Sequence, residues 1–239
     1  MNISFSGKVA LVAGGTGGLG SAVSRAFLED DAKVVVTYRK EEEFAALKSA
    51  APSNAGALEG YRVDITDEPA AAELVADVLS KHGKLDAVVN TIGGYAGGTK
   101  LWDLDTKILD KMLALNLRSG YTLARAVLPA MLKQRYGSIV NVAAKAALDH
   151  GAGAAAYAAS KAAAVALMDS LAAETNGTGI RVNSILPSII DTTANRQAMP
   201  DADFTLWPKP RDIAQVILFL CSDAAKTIHG AAIPVYGAN

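Results

Sequence analysis

The amino-acid sequence predicts an α/β fold: one doubly wound domain over residues 1–239, with a seven-stranded parallel sheet and helices on both of its faces. Three observations predict it. Short β-branched runs alternate with longer segments rich in alanine and leucine. The runs are apolar almost throughout rather than at every second position, as in strands buried on both faces. The first run passes through a glycine-rich turn into a helical pattern, which is how a strand–helix–strand crossover of the usual right-handed sense begins.

Strands are predicted in "KVALVA" (8–13), "KVVVTY" (33–38), "LEGYRVD" (58–64), "LDAVVN" (85–90), "GSIVNVA" (137–143), "IRVNSIL" (180–186) and "AAIPVY" (231–236). Helices are predicted at 19–30, 41–50, 67–81, 105–134 with a break near 115, 155–176 and 210–221. No proline- or serine-rich linker divides the chain, whose 239 residues suffice to bury a sizeable core.

With 23 basic and 24 acidic residues the formal net charge is −1, so no general attraction to nucleic acid or to an anionic membrane is expected. No stretch approaches the roughly 20 apolar residues of a membrane span. The single cysteine, Cys221, lies in the apolar run "VILFLCSD" and reads as a core residue, so an oxidising compartment is not indicated. The expected location is the cytoplasm. His82, His150 and His229 make no metal set, and no metal is expected.

Ligands of such sheets bind beyond the carboxyl ends of the strands, so the residues after each run matter most. The first run ends in "AGGTGGLG", where Gly14, Gly18 and Gly20 precede the helix "SAVSRAFLED". Glycines there allow a sharp turn and close approach of a pyrophosphate, while the helix N-terminus offers free N–H groups and partial positive charge. This is the dinucleotide-binding (Rossmann) arrangement, although a plain structural turn uses the same residues.

After the second strand, "TYRKEEE" has Tyr38 where a site selective for NAD carries an acid, followed by Arg39 and Lys40. A cationic fork suits a 2′-phosphate, so NADP(H) is favoured over NAD(H); the alternative is a solvated arginine paired with the following glutamates. Asp64 closes the third strand and faces two readings, an acceptor for the adenine amino group with Ile65 packed on the ring, or a cap for the next helix, a role Thr66 or Asp67 also suits. Asn90 ends the fourth strand, and the glycines of "VVNTIGGYAGG" let a cofactor lie against bare backbone.

Tyr157 and Lys161 stand four residues apart in strong helix-forming sequence and so share one helical face. An ammonium beside a phenol stabilises the phenolate and is expected to pull the tyrosine below its ordinary pKa of about 10. Such a phenol can serve as acid or base, and the same lysine can bond ribose hydroxyls.

The glycine turn, the Tyr157/Lys161 pair and the strand just upstream of it together resemble the short-chain dehydrogenase/reductases over nearly the whole chain. The resemblance implies an NAD(P)H-dependent oxidoreductase. It carries Gly14, Thr16, Gly17, Gly18, Leu19 and Gly20 over as cofactor loop, Asp64 and Ile65 as the adenine side, and Asn90 and Gly93 of "NTIGG" as the family's N-N-A-G element, with Thr91 and Ile92 changed. Asn116 in "MLALNLRSGY" corresponds to the family's helix asparagine, which holds a water that joins the lysine to solvent. Pro187 and Ile190 in "RVNSILPSIIDT" belong to the segment that closes over the nicotinamide, with Ser188 in place of the usual glycine. The family's catalytic serine falls thirteen residues before the tyrosine, and that position is Ala144. Losing such a donor in general costs about 3–4 kcal/mol of transition-state stabilisation.

The dihydropteridine reductase branch of the family lacks that serine, and three segments resemble it: "GKLDAVVNTIGGYAGG", "AKAALDHGAGAAAYAASKAA" and "DTTANRQAMPDADFTLW". This implies hydride transfer to a quinonoid dihydropterin, an electron-poor acceptor that needs less carbonyl activation, with Tyr157 as proton donor. Tyr95 lines the ring or rests on the glycine-rich loop, and Ala144 leaves room for a flat bicycle. His150 stands where the branch has a tight turn, and binds substrate, shuttles protons or is simply exposed. Met199 and Trp207 flank a proline-bearing segment that reads as a lid or as a packed loop. The alanine face of helix 155–176 suits a homodimer or homotetramer, or an intrasubunit core. Two other functions remain: a carbonyl or 3-oxoacyl reductase that tolerates Ala144, and a non-catalytic NADP-binding regulatory protein.

Overall fold

The computed structural model describes residues 3–51 and 57–237. Seven strands form one parallel sheet: β1 (Val9–Ala13), β2 (Lys33–Tyr38), β3 (Leu58–Arg62), β4 (Ala87–Asn90), β5 (Gly137–Val142), β6 (Ile180–Pro187) and β7 (Ala232–Val235). Their spatial order is β3-β2-β1-β4-β5-β6-β7. Eight α-helices accompany them among the described residues: α1 (Gly18–Glu29), α2 (Glu41–Ser49), α3 (Glu68–His82), α4 (Thr106–Leu113), α5 (Ser119–Gln134), α6 (Ala155–Thr175), α7 (Thr193–Ala198) and α8 (Pro210–Cys221).

Alternation along β1 shows why the runs are continuously apolar. Ala10 and Val12 enter one core with Phe27 of α1 and Ile213 and Ile217 of α8. Val9, Leu11 and Ala13 enter the other, with Val75 and Val78 of α3, Val127 and Met131 of α5, and Met168 of α6. Both faces of the sheet are covered, so a polar residue at any of these positions meets protein rather than water. Phe27 is completely buried, and its replacement by alanine costs about 3–5 kcal/mol.

Local chemistry explains the helix boundaries. The Asp67 carboxylate accepts from the Ala70 amide at 3.0 Å and caps α3, which ends at Gly83 in the left-handed region (φ 73°). Asp105 opens α4 in the same way, accepting from the Lys107 amide at 2.9 Å. The predicted break near 115 is a wider π-helical turn, Ala114–Arg118, that joins α4 to α5 without separating them and turns Asn116 into the interior. The short helix α7 was not expected; Thr192 caps it by accepting from the Asn195 amide.

The chain reverses its direction of travel across the sheet between β1 and β4. Their register pairs Ala13 with Asn90, and beyond it the Thr91 amide donates to the Ala13 carbonyl at 3.0 Å. A crevice at such a switch point, outside the carboxyl ends of the strands, is where this architecture places ligands.

Candidate active site

Two cavities open at this crevice. One of about 360 Å³ is bordered by Gly14, Thr16 and Gly17, by Arg39 and Lys40, and by Asp64 and Ile65. The other, about 740 Å³, is bordered by Leu19, Tyr95, Ala144, Tyr157, Lys161, Pro187, Ile190, Met199 and Trp207 among others. Thr91 and Gly93 border both.

The turn between β1 and α1 is built for close approach. A Cβ on Gly20 would lie 2.0 Å from the Gly14 carbonyl oxygen, and one on Gly15 would lie 2.6 Å from the Val36 side chain. Helix α1 has no side-chain cap and no acid in its first turn, so its leading N–H groups and dipole face the first cavity uncompensated. Above it, a Cβ on Gly18 would lie 2.9 Å from the Thr192 methyl, which sets the start of the 192–207 segment directly on this turn.

The cation pair after β2 divides. Lys40 pairs with Glu43 at 3.6 Å, and Glu43 also accepts from the Thr16 hydroxyl at 3.2 Å. Arg39 makes no ion pair among the described residues; it is exposed and faces Asp64, whose carboxyl it helps to hold low. The first cause of that lowering is the Thr66 amide, which donates to Asp64 at 2.9 Å. The helix cap is thus Asp67, and Asp64 is left at the cavity edge. Tyr38 donates to Glu41 at 2.6 Å and stacks on Phe44, with centroids 4.9 Å apart.

One expected cofactor contact, Asn90, is not brought to either cavity. Asn90 borders neither cavity: its amide nitrogen donates to Asn141 at 2.9 Å and to Ser119 at 3.2 Å, and its oxygen accepts from the Ile92 amide. The carboxamide is consumed in holding β4 to β5 and to α5. Ile65 borders the first cavity beside Asp64, with its side chain packed beneath α3 and its carbonyl accepting from Thr122.

In the second cavity Lys161 is 5% exposed, and its ammonium donates to the Val142 carbonyl at 3.0 Å. Burial brings its pKa down to about 8. Tyr157 meets Tyr95 edge-on, with centroids 5.0 Å apart at 75°. Burial first, and Tyr95 second, push the Tyr157 phenol up to about 12. The expected lowering by the lysine is therefore corrected: Lys161 is turned to the backbone of β5, and desolvation governs the phenol.

Asn116 is buried between the two halves of the site. Its oxygen accepts from the Gly94 amide at 2.9 Å, and its nitrogen donates to the Gly94 carbonyl at 3.0 Å and to Ser160 at 2.9 Å. Ser160 in turn donates to the Tyr157 carbonyl at 2.8 Å. A Cβ on Gly93 would lie 3.0 Å from the Asn116 oxygen and 3.1 Å from the Lys161 nitrogen, so bare backbone lets the two meet there. Ser160 was not picked out as functional; its signal was its place on the helix one turn from Tyr157.

Ala144 borders the second cavity; Ser188 borders it too but donates its hydroxyl to the Tyr236 carbonyl at 2.8 Å, and Ser138 donates to the Leu220 carbonyl far down β5. Tyr95 is 71% exposed at the cavity mouth. His150 is corrected as a substrate residue: it is exposed, borders neither cavity, and its ring meets the Ala147 carbonyl at 3.2 Å. Between β6 and α8 the 191–207 segment is internally braced. Arg196 holds Asp191 with two hydrogen bonds, one of 2.8 Å, and sits 4.7 Å from the Phe204 ring, which packs on Trp207. Asn195, Met199, Leu206 and Trp207 of that segment all border the cavity. Among the described residues there is no group of three metal-ligating side chains, and no helix is long and apolar enough to cross a membrane.

Residues 8–203 match the family model for short chain dehydrogenases. The chain is 32% identical to the 3-oxoacyl-[acyl-carrier-protein] reductase FabG of Thermotoga maritima, with 97% of each covered. It superposes on the structure titled "ElxO with NADP Bound" with a TM-score of 0.91 at 26% identity, covering 96% of this chain and 97% of that one. On NAD+-bound xylitol dehydrogenase the TM-score is 0.89 at 25% identity, covering 98% and 99%. A family model thus matches most of the chain and a relative matches nearly all of it, and the protein belongs to the short-chain dehydrogenase family of oxidoreductases.

Proposed function

We propose that the protein is an NAD(P)H-dependent reductase, with NADPH preferred, acting on a flat electron-poor heterocycle of the quinonoid dihydropterin type. The observation that carries this reading is the pairing of a protonated Tyr157 with Ala144 in one cavity: a proton donor faces the acceptor where no hydroxyl polarises a carbonyl. The three segments that resemble dihydropteridine reductase support the choice of acceptor.

The adenosine and pyrophosphate part of a dinucleotide suits the first cavity, and Thr91 and Gly93, which border both cavities, connect it to the second. The uncapped start of α1 suits its pyrophosphate, the exposed Arg39 suits a 2′-phosphate, and the bare backbone of Gly93 leaves space beside Lys161. When bound, the cofactor supplies the hydride. Tyr157 holds the proton at its hydroxyl oxygen and hands it to the acceptor. Lys161, held to the Val142 carbonyl one helical turn from Tyr157, would present its remaining ammonium protons to the cofactor's ribose hydroxyls. Asn116 and Ser160 hold the glycine loop and the tyrosine helix in register. Met199, Leu206 and Trp207 exclude water from the acceptor's far side. Gathering α6 alanines at an interface between copies, a cytoplasmic homodimer or homotetramer is proposed, which sedimentation equilibrium tests.

The experiment is NADPH and NADH oxidation against quinonoid dihydrobiopterin, a quinone, a 3-oxoacyl thioester and an activated ketone. This reading expects the pterin to be reduced fastest, with NADPH. A second reading, 3-oxoacyl reduction, is favoured by the Thermotoga relative; it expects the thioester to win and Ala144→Ser to raise its turnover. Tight NADPH binding with no oxidation of any acceptor supports a regulatory binding protein instead.

A further inference from the structure

The charged side chains bordering the second cavity are three: Lys161, Lys145 and Asp149. Lys161 is committed to the β5 backbone. Lys145 and Asp149 pair with each other, with ammonium and carboxylate 3.4 Å apart. They stand on the turn that follows Ala144, where the Ala147 amide donates to the Ala144 carbonyl and the Asp149 amide to the Lys145 carbonyl. The position that lacks a hydroxyl is therefore followed at once by a donor and an acceptor on one short, hydrogen-bonded turn.

We propose that Lys145 and Asp149 are specificity-determining residues that read the polar edge of the acceptor, a planar heterocycle carrying a carbonyl oxygen beside ring N–H or amino groups. In this arrangement the Lys145 ammonium donates to the carbonyl oxygen, and the Asp149 carboxylate accepts from the adjacent N–H groups. The turn fixes their spacing, and the Tyr236 ring, 5.3 Å from the Lys145 nitrogen, braces the lysine from the side. The two side chains remain 48% and 69% exposed, so their mutual pairing adds little to stability and leaves both free to exchange partners with a ligand. An amide-like edge replaces both halves of the ion pair at once, whereas a simple ketone or quinone has no N–H for the carboxylate and leaves the ion pair closed. The inference deepens the proposed pterin reduction and rests on it for the class of acceptor.

The test measures equilibrium binding, separately from turnover. Biopterin, which has the edge and is fluorescent, and menadione, which lacks the edge, are titrated into NADP+-loaded wild type, Lys145→Met and Asp149→Ala. The expected result is a roughly 10- to 100-fold rise in the biopterin Kd for each variant, the range for one lost charge-assisted hydrogen bond, with a far smaller change for menadione. Equal biopterin affinity in all three proteins overturns the proposal and leaves the reductase reading standing. Parallel losses for both ligands also overturn it, because they report a damaged cavity rather than a read edge. Failure of the wild type to bind biopterin overturns it outright. Edge-dependent binding without any reduction of quinonoid dihydrobiopterin keeps the recognition pair and removes the proposed reaction.

Discussion

The Lys161 ammonium donates to the Val142 carbonyl at 3.0 Å, and that contact, rather than one to Tyr157, anchors the lysine in the protein. It ties the catalytic face of α6 to the end of β5, one residue before Ala143 and two before Ala144.

Burial of Lys161 has a consequence for stability against pH. Its pKa falls from 10.5 to about 8 on folding, so between these values the unfolded chain binds more protons than the native one. Stability from this group is therefore least below pH 8 and rises as pH increases toward 10.5. Lys161→Met is expected to flatten that rise in urea unfolding measured from pH 7.5 to 10; a rise of unchanged size in the variant means another group causes it.

Arg39 and Glu43 are expected to act oppositely on the cofactor. Removing the exposed guanidinium in Arg39→Ala raises the NADPH Kd by roughly 10-fold, as for a lost charge-assisted contact, and leaves NADH nearly unchanged. Glu43→Gln removes a carboxylate from the same cavity, frees Lys40 and lowers the NADPH Kd. Calorimetric titration of both cofactors checks the pair of effects, and equal shifts for NADH and NADPH contradict it.

The glycine turn separates packing from ligand space. Gly20→Ala forces a methyl to within 2.0 Å of the Gly14 carbonyl, a backbone clash expected to cost more than about 3 kcal/mol. A methyl on Gly17 meets that oxygen only at 3.4 Å, so Gly17→Ala is expected to melt close to wild type. Any deficit in that variant then belongs to cofactor binding. Thermal unfolding of the two variants side by side decides it.

Ser160→Ala is expected to leave the Asn116 amide nitrogen without its 2.9 Å partner inside the protein, costing about 1–3 kcal/mol. The π-turn holds that asparagine against Gly94, so turnover falls with little change in NADPH affinity if the loop loses register. Ser160→Thr, which restores a hydroxyl, tests for recovery of both stability and turnover.

The sheet was legible because both faces of its central strands are buried, which leaves continuous apolar runs there and a glycine turn at the end of the first. The Tyr157/Lys161 face was legible from spacing alone. What was not legible depends on partners distant in sequence. Asn90 reads as a ligand until Asn141 and Ser119 consume it. The phenol's direction went the other way because proximity along a helix does not reveal where an ammonium points. His150 lies one residue from Asp149 yet faces outward, and the 192–207 brace of Asp191, Arg196 and Phe204 emerges only once the chain folds back over Gly18.

The central claim is that Tyr157 supplies the proton in a cofactor-dependent reduction. Its most direct test is single-turnover NADPH oxidation with quinonoid dihydrobiopterin by wild type and Tyr157→Phe, with the NADPH Kd of each measured alongside. The account predicts that the variant loses about 100- to 10,000-fold in rate, the usual worth of a positioned general acid, while its Kd stays close to wild type. Equal rates in the two proteins would contradict it.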